Sequence, residues 1–220
     1  QLGIADTGLQ IASRPEALAA AGVEVGVDFT SVDAALENLR FAAEQGIHMV
    51  VGTTGFTPSD LEELDALFAS SRSNAIIVPN FSIGAVLMMR FAEMAAPYFG
   101  TAEIVELHHD HKRDAPSGTA MRTAQKMAGA SSNWGDDPTK TTLLDGARGG
   151  EGPGGIRIHS VRLQGLVAHQ EVLLGGPGES LTIRHDSYDR ASFMPGVLLA
   201  IREVDKRPGL TIGIEPLLGL

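Results

Sequence analysis

Between residues 23 and 78, short apolar runs alternate with helical patterns, and each run ends in small polar residues. Val23-Glu24-Val25-Gly26-Val27-Asp28-Phe29 reads as a buried strand that stops at Thr30-Ser31. Residues 33–45 follow with Ala34, Leu36, Leu39, Phe41 and Ala42 on one helical face, capped by Ser31 or Asp33. His48-Met49-Val50-Val51 is the next strand and ends at Gly52-Thr53-Thr54-Gly55. Pro58 and Ser59 precede an amphipathic helix whose first turns are acidic, where the helix dipole favours them. Ala75-Ile76-Ile77-Val78 is a third strand, closed by Pro79-Asn80. Strand, helix, strand, helix, strand in this order predicts a doubly wound parallel sheet.

After residue 81 the rhythm changes. Residues 83–97 predict a long apolar helix whose methionines serve packing, Glu103–Leu107 a strand, and Thr119 to Met127 a helix. Residues 131–155 are rich in Gly, Asp, Ser and Pro and read as a surface loop. From 156 to 186 three strands, "IRIHSVRL", "AHQEVLLG" and "SLTIRHDS", follow one another in meander fashion. A helix over 192–204 and a short strand after Pro208-Gly209 end the chain. Two regimes predict two domains, with boundaries near 81 and 190.

A net charge of −10 argues against a general nucleic-acid binder, which needs clustered Lys and Arg. An anionic ligand therefore requires a local positive pocket. With no cysteine, disulfide and thiolate chemistry are excluded, as befits a reducing cytoplasm. No apolar run approaches the roughly 20 residues that span a bilayer.

The densest positive stretch is "ELHHDHKRDAPSGTA", residues 106–120. Three readings compete for His108, His109, His111 and Lys112: a metal site, a solvated basic loop, or a pocket that holds an anion and moves protons. Lys112 opposes a cation and no further ligand strengthens the metal reading, so no metal is expected. The proton-transfer reading explains more. Histidine titrates near pH ~6.5, and a lysine supplies a compact positive charge. Pro116-Ser117-Gly118-Thr119 then opens a helix, whose first N–H groups and hydroxyls suit a carboxylate. In the first half, the polar strand ends at 28–30, 52–55 and 78–81 occupy the place where open α/β sheets bind ligands. A nucleotide there invites hydride chemistry.

The stretch at 106–120 resembles the signature of the dihydrodipicolinate reductase family, and "VDFT", "GTTGF", "PNFSIG", "GLVAHQEVLLG" and "GIEPLLGL" are similar to that family in the same order. The likeness runs from about Val23 to Leu220, with the actinobacterial branch the most alike. It implies reduction of 4-hydroxy-tetrahydrodipicolinate by NADH or NADPH in the diaminopimelate route to lysine. By resemblance His108 is the acid/base residue and Lys112 the proton donor. His109, Ser117, Gly118 and Thr119 match substrate contacts. Gly52, Thr53 and Thr54, with Val78, Pro79, Asn80 and Phe81, match cofactor contacts. Asn80-Phe81 and Asp189-Arg190 match the hinges, while His111 and Arg113 match no fixed role.

The resemblance further implies a Rossmann-like dinucleotide-binding domain over 1–81, completed by 191–220. Residues 82–190 form an α+β domain with a mixed sheet, which binds a small dicarboxylate and assembles a cytoplasmic homotetramer. Neither a nucleic acid nor a membrane is an expected partner. The family opens with a strand, a glycine-rich turn, a helix and a second strand. Residues 1–22 carry none of these, since Gly3 and Gly8 are too sparse, so the pyrophosphate cradle is expected to be missing from this sequence. The alternative is then a truncated, cofactor-free oligomer that binds dicarboxylates without catalysis.

Overall fold

The computed structural model describes Gly8 and residues 11–220, in two compact units: Gln1–Phe81 with Val197–Gly219, and Ser82–Gly196. Of the segment 1–22, expected to carry no strand, glycine-rich turn or helix, Gly3 lies outside the described residues, while residues 16–20 form a short helix that the sequence analysis did not expect.

In the first unit, α1 (Glu16–Ala20) precedes β1 (Val25–Asp28), α2 (Val32–Gln45), β2 (His48–Val51), α3 (Pro58–Ser70) and β3 (Ala75–Ile77). Helix α2 stops at Gly46, whose φ of 73° is cheap only without a Cβ. Pro58 and Ser59, expected to precede helix α3, instead form its first turn. Thr57 caps it, accepting from the Asp60 N–H while Asp60 accepts from Thr57 in return. Ala35, Leu39 and Ala42 of α2 and Leu64 and Phe68 of α3 bury against Met49, Val51, Ala75 and Ile77. That shared core holds the helices on the sheet.

The last strand, β9 (Leu210–Ile212), adds to β3, giving an all-parallel sheet in the order β1-β2-β3-β9. Asn74 makes the join. Its side-chain amide donates to the carbonyls of Val204 (2.9 Å) and Asp205 (3.2 Å), and its oxygen accepts from the Gly209 N–H (3.1 Å).

The second unit contains α4 (Ile83–Ala95), β4 (Thr101–His108), α5 (Gly118–Ala130), β5 (Gly150–Glu151), β6 (Arg157–Arg162), β7 (Ala168–Gly176) and β8 (Glu179–Ser187). Helix α6 (Met194–Glu203) carries the chain back to the first unit. Met88 and Met89 are buried in α4, as packing methionines should be, but Met94 of the same helix is 56% exposed. The loop over 131–149 is tied down by ion pairs from Arg148 to Glu103 (2.5 Å) and Asp137 (3.5 Å), and from Arg157 to Asp137 (3.0 Å).

The three late strands do not form a meander. The sheet order is β5-β6-β4-β7-β8, so β4 lies between β6 and β7, parallel to the first and antiparallel to the second. Alternating apolar residues mark a strand but not its neighbour; here the crossover through α5 returns the chain beside β4. Because His108 pairs with Arg162 on one side and Ala168 on the other, residues 163–167 must step over the end of β4. The Leu163 N–H donates to the His108 carbonyl (3.1 Å), and the His109 N–H to that of Val167 (3.4 Å). The end of β4 is therefore clamped from both sides.

Asn74→Ala should destabilise the protein by roughly 1–3 kcal/mol, because buried backbone groups lose their partners. Equilibrium urea denaturation measures it; a loss below about 0.5 kcal/mol would show that β9 is held by other means.

Candidate active site

In the first unit a buried carboxylate organises the carboxyl ends of the strands. Asp28 closes β1 and accepts from the Thr30 N–H and hydroxyl (both 2.8 Å), the Asn38 amide (2.7 Å) and the Thr53 hydroxyl (3.2 Å). Burial pushes its pKa up, but the bonds from Thr30, Asn38 and Thr53 outweigh this and hold it below the ordinary carboxylate value. The loop after β2 is thereby tied to the loop after β1.

Gly52 has a steric reason to be glycine, since a Cβ there would lie 2.1 Å from a ring carbon of Phe29. The Phe29 ring is 57% exposed and tilts against Phe81, with centroids 5.6 Å apart. Among the residues matched to cofactor contacts, Thr54 and Pro79 are exposed, while Thr53, Val78 and Phe81 are buried. The Thr53 hydroxyl is spent on Asp28 and the Thr30 carbonyl (3.3 Å). Asn80 is partly buried beside Phe81 in the chain. The Gly52 N–H donates to the Asp28 carbonyl and the Val78 N–H to the Val51 carbonyl, both at 2.8 Å, so the backbone of these loops is itself tied into the sheet. The strand end at 28–30, expected to face a ligand, holds Asp28 and Phe29, whereas Asn38, which reaches Asp28 from ten positions on in α2, was missed by the sequence reading.

In the second unit the organising group is Glu106. Alternation along β4 turns Ile104 and Glu106 toward the core, and Glu106 has no exposed surface. The guanidinium of Arg162, on β6, donates to both of its oxygens at 2.9 Å. Nδ1 of His108 lies 2.5 Å from Oε2, and the Ser117 N–H donates to Oε1 at 3.2 Å. Burial raises the Glu106 pKa, but bonds from Arg162, Ser160 and His108 more than reverse this, so it is ionised at neutral pH. For His108 burial is the largest influence and lowers the pKa; Glu106 pulls it up, Lys112 and Arg162 push it down, and the net shift is downward. The resting imidazole is neutral.

Helix α5 begins at Gly118, with Ser117 as N-cap accepting from the Ala120 N–H at 3.1 Å. Its first turn is braced by Gln170 of β7, which donates to Thr123, whose hydroxyl donates to the Thr119 carbonyl (2.8 and 2.7 Å). A Cβ at Gly118 would meet nothing within 4 Å, so no packing within the protein calls for glycine there. Lys112 reaches both oxygens of Asp114 at 2.8 Å and holds that carboxyl below its ordinary pKa. Arg162 also donates to the Asp114 carbonyl (2.6 Å), which fastens the loop to the clamped strand end.

His108, Lys112, Ser117, Gly118 and Thr119 thus follow the end of β4 into α5. His109 and His111 are exposed, with ring centroids 6.2 Å apart. Among the described residues no group of three or more His, Cys, Asp or Glu is placed to hold a metal ion. No helix there is long and apolar enough to cross a membrane. Glu106 and Arg162 were missed by the sequence reading. An acid at a core-facing position of an apolar strand was the available signal for the first.

The family model described as "Dihydrodipicolinate reductase, N-terminus" matches residues 1–81, and that described as "Dihydrodipicolinate reductase, C-terminus" matches residues 84–218. The 4-hydroxy-tetrahydrodipicolinate reductase of Mycolicibacterium vanbaalenii is 56% identical over 216 residues, spanning 97% of this chain and 88% of that protein. The Nocardia farcinica reductase of the same name is 58% identical, over 90% of this chain and 82% of its own. Among solved structures, dipicolinate-bound dihydrodipicolinate reductase from Paenisporosarcina sp. TG-14 is similar, with a TM-score of 0.88 and 43% identity, covering 97% of this chain and 81% of that one. An amine dehydrogenase from Mycobacterium smegmatis, 13% identical with a TM-score of 0.59, shares the fold alone.

These relatives do not favour the cofactor-free binding alternative. The chain belongs to the dihydrodipicolinate reductase family, oxidoreductases of the diaminopimelate route to lysine that act with a nicotinamide cofactor.

Proposed function

We propose that residues 1–81 with 191–220 form the dinucleotide-binding domain, and that residues 82–190 bind the dicarboxylate substrate and assemble a cytoplasmic homotetramer. The cofactor, NADH or NADPH, is assigned to the strand ends of the first domain. Gly52, Thr53 and Thr54 and the segment Val78–Phe81 would hold it, with Thr54 and Pro79 the exposed members of the set. When bound, it supplies the hydride.

The observation that carries the substrate reading is the single carboxylate, Glu106, that ties His108 and the start of α5 together. One substrate carboxylate is assigned to Gly118 and Thr119, at the positive end of the helix, with Ser117 and His109 beside them. Lys112 leaves Asp114 for the substrate, where it balances negative charge and donates the proton. His108, neutral at rest, faces the ring with its remaining nitrogen and manages the proton side as acid/base.

His108→Ala should lower kcat by about 10²–10⁴-fold with the fold intact, as loss of a general acid/base does. Lys112→Ala should weaken both turnover and binding of pyridine-2,6-dicarboxylate. Loss of reduced-nicotinamide absorbance and calorimetric titration read these, with NADH and NADPH tried in turn. An unchanged kcat removes His108 from its role, and loss of neither property leaves Lys112 a surface charge. Gly118→Ala gives the sharpest separation. Alanine favours a helix and fits the open space, so stability should hold or rise slightly. Dicarboxylate affinity should fall by about tenfold, a ~1.4 kcal/mol steric penalty. Wild-type affinity in that variant would move the carboxylate elsewhere.

A further inference from the structure

We infer that Glu106 is a positioning residue for the reaction, one that fixes which nitrogen of His108 carries the proton and so which nitrogen meets the substrate. The inference rests on the assignment of His108 as the acid/base residue.

Glu106 has no exposed surface and its two oxygens already accept two N–H bonds from Arg162 and one from Ser117. A carboxylate so bound has only lone pairs to offer a further neighbour. The atom of His108 that faces it, 2.5 Å away, is Nδ1. Nδ1 therefore carries the hydrogen, and Nε2 keeps the lone pair of the neutral ring. Residue spacing enforces this arrangement. Glu106 and His108 are two apart on one strand and share a face, and the strand end is clamped by Leu163 and by Val167. The ring thus presents Nε2 as an acceptor in the resting protein. When Nε2 takes a proton, the charge of Glu106 stabilises the imidazolium.

The charged groups that bear on the ring lie on its own strand, on β6 and in the loop that follows. They are Glu106, Arg162, and Lys112 with its partner Asp114, in that order. Arg162 and Lys112 both disfavour the protonated ring, and Glu106 alone among the three favours it. Removing that carboxylate should therefore move His108 protonation to lower pH, and the sign follows directly from the loss of an attraction.

The test is ¹⁵N-histidine NMR of the full chain across pH, with kinetics on E106Q, E106D and H108A. In the wild type, the neutral form of His108 should be the Nδ1–H tautomer. In E106Q the midpoint should shift to lower pH, and the limb of the kcat–pH profile that His108 governs should shift with it. We expect kcat to fall roughly 10- to 1,000-fold with KM little changed, less than the ~10⁴ that a serine protease loses with its orienting aspartate. E106D, which keeps the charge, should recover part of kcat. A residue that merely held the fold would lower the folded fraction without moving the midpoint, and that result overturns the inference. If E106Q fails to fold, the wild-type tautomer decides, and an Nε2–H neutral form overturns it. Full activity in H108A would instead sink the assignment of His108 itself.

Discussion

A carboxylate with no exposed surface is costly unless it is fully bonded, and Glu106 meets that demand with Arg162, His108 and Ser117. Much of the second unit's arrangement follows from it. Arg162 must sit level with His108 on the neighbouring strand, which requires β6 beside β4 and the chain stepping over the strand end. The helix that begins at Gly118 must start within reach of the same carboxylate. Desolvation thus enforces a geometry that propensity alone would leave loose.

The first unit repeats the device with different partners. Asp28, also buried at the carboxyl end of a strand, gathers Thr30, Asn38 and Thr53 and so fixes two loops at once. In each unit the acid is buried and holds together the loops that surround it. This arrangement explains why several residues of the polar loops are buried. Thr53 and Ser117 act through the neighbours they hold.

Most elements of the fold were legible because helix and strand periods are local properties of the chain. The parallel order of β1 to β3 followed from the alternation, and the closing strand after Gly209 was visible as a short apolar run. The neighbours of β6 and β7 were not legible, since alternation in a strand says nothing about which strand lies beside it. The same limit hid Arg162, which meets Glu106 only through sheet pairing across 56 positions. Glu106 itself read as an ordinary strand residue because glutamate is so rarely fully buried. His108, Lys112 and the start of α5 were legible because one contiguous motif carries them all.

The most direct test of the account is to titrate pyridine-2,6-dicarboxylate into ¹⁵N-labelled protein and follow the amides of Gly118 and Thr119 and the ring of His108. The account predicts saturable shifts at all three. Saturable shifts confined to the loops after β1 and β2, with Gly118 and His108 unmoved, would contradict it.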